Sequence, residues 1–297
     1  MIQKEQIQEQ FADLQLDIAT KIAAIDGKSS FVPDHWVRAE GGGGTASVLI
    51  EGRILEKAGV NFSAVWGETP TKILDKLNLE KAAFYGTGVS IVMHPFNPMV
   101  PIIHMNIRYF EMSNGTWWFG GGIDLTPHYV NDADAVFFHQ ALKTTCDKFD
   151  LSFYPKFKTW ADDYFYITHR NETRGVGGIF FDHLNEKSGY TKNQLFEFVL
   201  SIGKTFAPTY SELLLRNHKK QFSESNKKWQ LLRRGRYVEF NLVLDRGTKF
   251  GLDTNGRTES ILMSLPPQAN WIYDFKTELG SEEERTLSLL KKGITWI

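Results

Sequence analysis

The chain has 297 residues, of which 42% are hydrophobic and 23% are charged, as in an ordinary globular protein with a large core. Its net charge of −1 provides no overall field that would recruit nucleic acid or an anionic membrane. Cys146 is the only cysteine, which excludes an internal disulfide, a multi-cysteine zinc site and a cysteine-ligated iron–sulfur cluster. The N-terminus lacks an apolar signal-peptide run, and the sequence has no stretch of about 20 apolar residues. We therefore expect a cytoplasmic protein that does not insert into membranes.

The N-terminal part of the chain begins with a helical pattern. Apolar residues recur at steps of three and four over 7–25, which predicts an amphipathic helix that ends at Gly27. Residues 29–40 show no regular pattern, and we predict irregular chain there. The glycine run Gly41–Gly44 lacks the Lys-Ser/Thr of a phosphate loop, so we predict a flexible loop or lid. Two short strands are predicted next, at Val48–Ile50 and Val60–Trp66.

Alternation with period 2 predicts a pair of strands in the centre of the chain, Val89–His94 and Ile102–Met112. Prolines between them indicate a stiff turn, so the strands pair and His94 and His104 are expected on one sheet surface. The turn signal Ser113-Asn114-Gly115 predicts a third strand at Trp117–Phe119.

One face of the second strand carries polar side chains in an unusual row. His104, Asn106 and Arg108 lie at alternate positions, followed by Phe110. A solvated face is the alternative for any one of these residues, but the aromatic residues of the third strand border the whole row. The combination favours a concave, partly apolar floor with polar groups.

The C-terminal half is predicted to contain both helices and strands. The predicted helices are Asn131–Asp150, Tyr154–Arg170, Thr191–Lys219 (with a possible kink at Pro208) and Ser281–Lys292. The predicted strands are Ile179–Asp182, Tyr237–Asp245 and Thr258–Leu265. Together these elements predict a single α+β domain over residues 1–297, with a large, mostly antiparallel sheet flanked by helices on both faces.

Two arginine-rich turns, at 233–236 and 245–257, suit a substrate with several carboxylates. Arginine binds a carboxylate through two parallel hydrogen bonds and keeps its charge when buried. His104 is a possible proton donor, and an aspartate at a strand end could accept hydrogen bonds or act as a base. The residues alone thus indicate an anion-binding pocket with acid–base groups and aromatic walls.

Long and specific motifs run along nearly the whole chain. They are EGGGG at 40–44, EKAGVNFS at 56–63, GVSIVMHPFNPMVP at 88–101, HMNIRYFE at 104–111, WWFGGGIDLTP at 117–127, YFYITHRNETRGVGGIFFD at 164–182, RRGRYVEFNLVLDRGTKFGL at 233–252 and NGRTESILMSLPP at 255–267. In these motifs the chain resembles the oxygen-dependent coproporphyrinogen III oxidases of haem biosynthesis. The resemblance implies that dioxygen oxidises coproporphyrinogen III, that two propionates become vinyl groups with loss of CO₂, and that protoporphyrinogen IX is the product.

The resemblance also implies roles for individual residues. It assigns catalysis to His104 as proton donor, together with Arg108 and Asp245. The substrate-binding residues that it implies are Ser90, Asn106, Ile107, Arg108, Arg246, Asn255, Gly256 and Arg257. It further implies a homodimer that uses residues 237–272 as its dimerisation segment, and it implies no organic cofactor.

A metal ion stays an open question at this stage. His94, His104, His139 and His169 match four histidines assigned to a divalent ion in part of the family. Imidazole suits several divalent transition metals, but a liganding nitrogen cannot carry a proton, which conflicts with a proton-donor role for His104. Three alternatives therefore remain: an oxidase without a metal, an oxidase that needs one, and a non-catalytic tetrapyrrole carrier.

Overall fold

A seven-stranded antiparallel sheet forms the centre of the computed structural model, which describes residues 1–68, 82–253 and 256–297. The strand order is β1-β2-β3-β4-β5-β6-β9. The strands are β1 Val32–Val37, β2 Gly42–Ile50, β3 Leu55–Glu68, β4 Ala83–Pro95, β5 Ile102–Met112, β6 Trp117–Thr126 and β9 Gly177–Leu184. A separate two-stranded ladder joins β7, Tyr166–Ile167, to β8, Glu172–Thr173.

Helices lie on both faces of this sheet. They are α1 Lys4–Asp26, α2 Asp132–Cys146, α3 Phe153–Tyr164, α4 Lys192–Asn217, α5 Glu224–Glu239, α6 Arg246–Asp253, α7 Thr258–Leu262 and α8 Glu282–Leu289. A 3₁₀ turn, Glu186–Ser188, and a π-helical turn, Phe240–Leu244, complete the described elements. In the described ranges, no helix is both long and apolar enough to cross a membrane. The predicted fold class is confirmed.

The alternation of β5 assigns the two faces of the sheet. Its odd-numbered residues, such as Ile103 and Ile107, are buried in the main core, where α1, α2 and α4 pack. Its even-numbered residues, His104 to Phe110, face the other way and are half-buried. We call the first face the core face and the second the site face. The site face is partly covered by the chain from α5 to α7, through contacts such as Tyr237 and Met263 on Val92.

Two strands predicted in the C-terminal part are wrong, because both segments are helical. Residues 237–245 form the end of α5 and the π-helical turn, and residues 258–262 form α7. Ser223 caps the N-terminus of helix α5, and its side chain accepts from the Asn226 backbone N–H. Its buried positions recur at helical spacing but include Gln230, Arg233 and Arg234, so the buried stripe is not apolar.

Most of the predicted strands are longer in the structure, and three further segments differ from the prediction in type or extent. The chain over 32–37, predicted to be irregular, forms the edge strand β1. Of the glycine run, predicted to be a flexible loop, Gly42 to Gly44 form the beginning of β2 instead. A Cβ on Gly43 would lie 2.2 Å from the Trp36 carbonyl oxygen, so glycine lets the neighbouring strand approach closely. The helix predicted over 154–170 ends at Tyr164, which leaves His169 in an exposed turn.

Candidate active site

Two neighbouring rows of paired residues cross the site face of the sheet. The first row, from β2 to β6, is Gly44, Ser63, Gly88, Arg108 and Gly120. The second row is Ala46, Asn61, Ser90, Asn106 and Gly122. We call these two rows the site floor. Most side chains of the floor are small, and Arg108 is the one cationic side chain among them. The alternation in the sequence had placed Asn106 and Arg108 on one face of the strand.

Arg108 is held by hydrogen bonds on the floor. Its Nη1 donates to Oδ1 of Asn106 at 3.0 Å, and its Nη2 pairs with Oδ2 of Asp182 at 2.9 Å. A Cβ on Gly120 would lie 2.5 Å from Asp182 Oδ1 and 2.8 Å from Arg108 Nε, so the ion pair lies directly over this glycine. The guanidinium is therefore fixed in place while part of it remains accessible.

His104 belongs to a buried network that the sequence analysis did not find. Its Nδ1 lies 2.9 Å from Oδ1 of Asp124, and the guanidinium of Arg174 grips the same carboxylate through Nε and Nη2. Nη2 of Arg174 also lies 3.2 Å from Nδ1, but the contact with the carboxylate is the shorter one. Because a carboxylate only accepts hydrogen bonds, we assign the hydrogen to Nδ1. In the described part of the chain Nε2 has no hydrogen-bond partner, which makes it the ring nitrogen that could exchange a proton with a ligand.

Asp124 stays ionised although it is buried. Burial opposes the charge, but Arg174 and His104 outweigh burial and hold the pKa of this carboxyl below its usual value. Arg174 is itself enclosed by aromatic rings, with its guanidinium carbon 4.5 Å from the centroid of Phe165 and 4.6 Å from that of Phe240. The network thus combines an ion pair with cation–π contacts, and it fixes the orientation of the His104 ring.

Asp245 lies at the start of α6 and caps it. Its Oδ2 accepts from the backbone N–H and the hydroxyl of Thr248, at 2.7 and 2.8 Å, and its Oδ1 accepts from the Tyr164 hydroxyl at 2.8 Å. Burial and the Asp245 charge raise the pKa of Tyr164, while Arg108 and Arg174 act in the opposite direction. Tyr164 is therefore within electrostatic reach of Asp245 and of both arginines.

The segment around α7 covers another side of the floor. The Asn61 side chain donates to Ser260 O at 2.9 Å, and the Lys57 ammonium donates to Leu265 O at 2.8 Å. These bonds hold the segment that begins with Arg257 close to β3. The Gly256 amide donates to Gly251 O at 2.8 Å.

Arg246 is exposed, with its guanidinium carbon 6.0 Å from the Tyr164 ring centroid. Asn255 lies outside the described residues.

Not every predicted site residue faces the floor. The Ile107 side chain is fully buried on the core face, so only its backbone is near the site face. Trp118 is on the site face, whereas Trp117 and Phe119 pack with the core. His94 is on the site face but is buried, with Nε2 2.9 Å from Ser264 O and its ring edge-on to Tyr237. Burial and the Arg234 charge lower the pKa of His94 well below its usual value.

The four histidines of the implied metal set lie in different environments. His139 is buried in α2 behind the core face, where Nδ1 meets the Tyr154 hydroxyl and Nε2 meets Val176 O. Burial lowers its pKa to about 4. His169 is exposed, with Nε2 2.9 Å from Glu239 Oε2. Over the described ranges, no group of three or more His, Cys, Asp or Glu side chains is placed to hold a metal ion. The four histidines therefore do not fit one metal centre.

Asp124, Arg174, Asp182 and Tyr164 are site residues that sequence reasoning missed. A signal existed for Asp124: it continues the alternation of β6 through Gly120 and Gly122, and its register partner is His104. For Arg174, which reaches the site from the turn before β9, the sequence pattern contained no such signal.

The site defines the class of protein. An accessible guanidinium beside an imidazole–carboxylate pair, on a floor of small residues, is typical of an enzyme that moves protons on an anionic substrate. More specifically, the chain belongs to the coproporphyrinogen III oxidase family, whose model matches residues 6–296. The resemblance found in the sequence motifs is confirmed. Membership supports the oxidation of coproporphyrinogen in haem biosynthesis as the activity of this chain.

Proposed function

We propose that the enzyme uses dioxygen to convert two propionates of coproporphyrinogen III into vinyl groups, giving protoporphyrinogen IX. The observation that carries this proposal is the His104–Asp124–Arg174 network beside Arg108 on one sheet face. A carrier of tetrapyrroles would need the cation but no group that exchanges a proton. The network therefore favours catalysis over carriage.

Carboxylate binding is the proposed role of the arginines. Arg108 is accessible and rigid, and it can hold a propionate against the floor near Ser90 and Asn106. Arg257 and Arg246 lie on the covering segment and can hold further propionates. Several fixed cations would orient a tetracarboxylate so that one propionate at a time lies near His104.

The chemistry at each propionate balances with one dioxygen. The side chain loses one β-hydrogen, the bond to its carboxylate carbon breaks to release CO₂, and a vinyl group forms. This change releases two electrons, and the β-hydrogen is counted as a proton. Dioxygen takes up the two electrons, this proton and one further proton from the site, and it is reduced to hydrogen peroxide. The tetrapyrrole supplies the electrons, so we propose that no organic cofactor takes part.

Two acid–base groups serve this step in the proposal. His104 supplies the proton through Nε2, while Asp124 stabilises the charged ring through Nδ1. Asp245 accepts from a pyrrole N–H group and eases proton loss, since its Oδ1, which accepts from Tyr164, has room for a second hydrogen bond. Its present partners, Tyr164 and Thr248, keep the carboxylate in one orientation.

The decisive experiment is an assay of protoporphyrinogen formation from coproporphyrinogen in air and under strict anaerobiosis. We expect turnover in air and none without oxygen. Turnover under anaerobic conditions would refute oxygen dependence, and binding without turnover in air would leave only a carrier. A third arm, with chelator-treated protein and elemental analysis, tests the divalent ion that the resemblance allows.

We also propose a cytoplasmic homodimer that is formed through residues 237–272. In support, large apolar side chains of this segment are exposed in the single chain, among them Leu242, Val243, Trp271 and Ile272. Val243→Asp should shift the mass measured by light scattering from dimer to monomer. Leu215→Asp, at an exposed position outside the segment, is the matched control and should stay dimeric.

A further inference from the structure

Arg257 already holds a carboxylate of the protein itself. Its Nη2 is paired with Oδ2 of Asp34, a residue of the edge strand β1, and its Nη1 donates to the Ser260 hydroxyl at 3.3 Å. Asp34 lies on the site face, paired in register with Ala46 of the site floor. The ion pair therefore closes the gap between the covering segment and the outer edge of the floor.

Two of the arginine–aspartate pairs of the site, Arg108–Asp182 and Arg257–Asp34, differ in how firmly the carboxylate is held. Asp182, which pairs with Arg108, also accepts from the His183 backbone N–H at 2.9 Å. The Asp34 side chain is 58% exposed, and within the described residues its polar partner is Arg257 alone. A carboxylate that is exposed and bound at one point can leave its arginine at little cost.

We propose that Asp34 is a placeholder: it occupies Arg257 in the ligand-free protein and is displaced by a carboxylate of the incoming substrate. This inference rests on the proposed function, because it needs a substrate with several carboxylates. Asp34 neutralises the Arg257 guanidinium and holds it at the edge of the floor. The guanidinium is thus already positioned to bind a substrate carboxylate. The protein carboxylate and the substrate carboxylate compete for the same donor.

The backbone that carries Arg257 does not depend on Asp34. It is held through Asn61, Lys57 and the packing of Met263 on the sheet. Removing the Asp34 charge therefore frees the guanidinium without releasing the covering segment. Asp34→Asn is accordingly expected to strengthen binding, whereas a residue that only positions Arg257 would weaken binding when changed.

The test measures the dissociation constant of coproporphyrin III, a stable tetracarboxylate, from tryptophan fluorescence of the full-length protein. The variants are Asp34→Asn, Arg257→Gln and the double variant. Asp132→Asn is the matched control, because Asp132 is 60% exposed and pairs with Arg285 in the same way, away from the site. We expect Asp34→Asn to lower the dissociation constant about two- to fivefold, the range that a weak exposed ion pair allows.

Each outcome decides the proposal. Tighter binding in Asp34→Asn, with no such gain in the Arg257→Gln background, supports the placeholder. Unchanged or weaker binding in Asp34→Asn, with weaker binding in Arg257→Gln, overturns the placeholder and leaves the proposed function intact. If Arg257→Gln has no effect, Arg257 holds no carboxylate and the placeholder fails as well. Absence of aerobic turnover in the wild-type protein is the separate result that refutes the proposed function.

Discussion

Replacing Asp124 with asparagine keeps the shape of the side chain and removes the charge that Arg174 is paired with. Both side chains are buried, so the substitution leaves a buried guanidinium without a counter-ion. Loss of one partner of a buried pair typically costs about 3–5 kcal/mol. The rings of Phe165, Tyr237 and Phe240 lie 4.5–4.8 Å from the guanidinium carbon and still stabilise it. We therefore expect the low end, a loss of about 3 kcal/mol in the free energy of unfolding.

Thermal and urea unfolding measure this loss. At about 2–4 °C for each kcal/mol, the melting temperature of Asp124→Asn should fall by roughly 6–12 °C. Asp182→Asn is the matched control, because its partner Arg108 is partly exposed and such a pair contributes at most about 1 kcal/mol. Equal, small losses in the two variants would refute the claim that Asp124 and Arg174 form the more strongly coupled pair.

Asp124→Asn should also lose catalytic activity, and its stability should depend less on pH in the acid range than that of the wild type. His104 loses the charged acceptor that fixes its tautomer and stabilises its protonated ring, so kcat should fall about 10²- to 10⁴-fold, the usual contribution of a positioned acid or base. The pKa of Asp124 is lower in the folded than in the unfolded protein, where it is about 3.9. Its stabilisation is thus complete above that value and disappears as the pH falls through the folded-state pKa. Consequently, the stability difference between wild type and variant should shrink in acid.

Three further predictions follow from packing and hydrogen bonds. A Cβ at position 59 would lie 1.6 Å from Met263 Sδ, so Gly59→Ala should displace the covering segment and raise KM several-fold. In the double variant with Met263→Ala the clash is removed, and KM should return toward the wild-type value. Asp245→Asn keeps a capping oxygen, so turnover should fall at least about tenfold while stability changes by less than about 1 kcal/mol; unchanged turnover would exclude a catalytic role. Asp26 is buried and accepts several backbone N–H groups, so Asp26→Asn should lower the free energy of unfolding by about 2 kcal/mol in urea titrations, without changing KM.

Local patterns were sufficient for the central strands and for the two long helices. β5 was predicted with its bounds and with both faces, because a strand that separates a core from a polar surface alternates without interruption. α1 and α4 were predicted because their buried stripes are apolar. These elements alone place His104, Asn106 and Arg108 on one surface.

The covering half of the site could not be predicted in the same way. Helix α5 buries Arg233 and Arg234, whose partners Glu172 and Glu56 come from distant parts of the chain. The buried face of α5 contains charged residues that are neutralised by these remote partners, so it has no local apolar pattern. The short alternation from 237 to 245 therefore favoured a strand. Arg174 reaches Asp124 across a similar distance in sequence. Such contacts are determined by the tertiary structure and not by local pattern.

The site floor offers a way to change which sizes of ligand the enzyme accepts. Four of its ten residues are glycines on paired strands, so this part of its shape is present before any ligand arrives and cannot be filled by rotamer changes of the glycines themselves. A Cβ at Gly88 would lie 2.6 Å from the Ile107 carbonyl oxygen, so a methyl group there would displace the neighbouring strand. Its register partner Ser63 already carries a Cβ. Replacing Ser63 with alanine and then with valine would therefore change the floor in steps, and we expect this series to set how large a ring the enzyme admits.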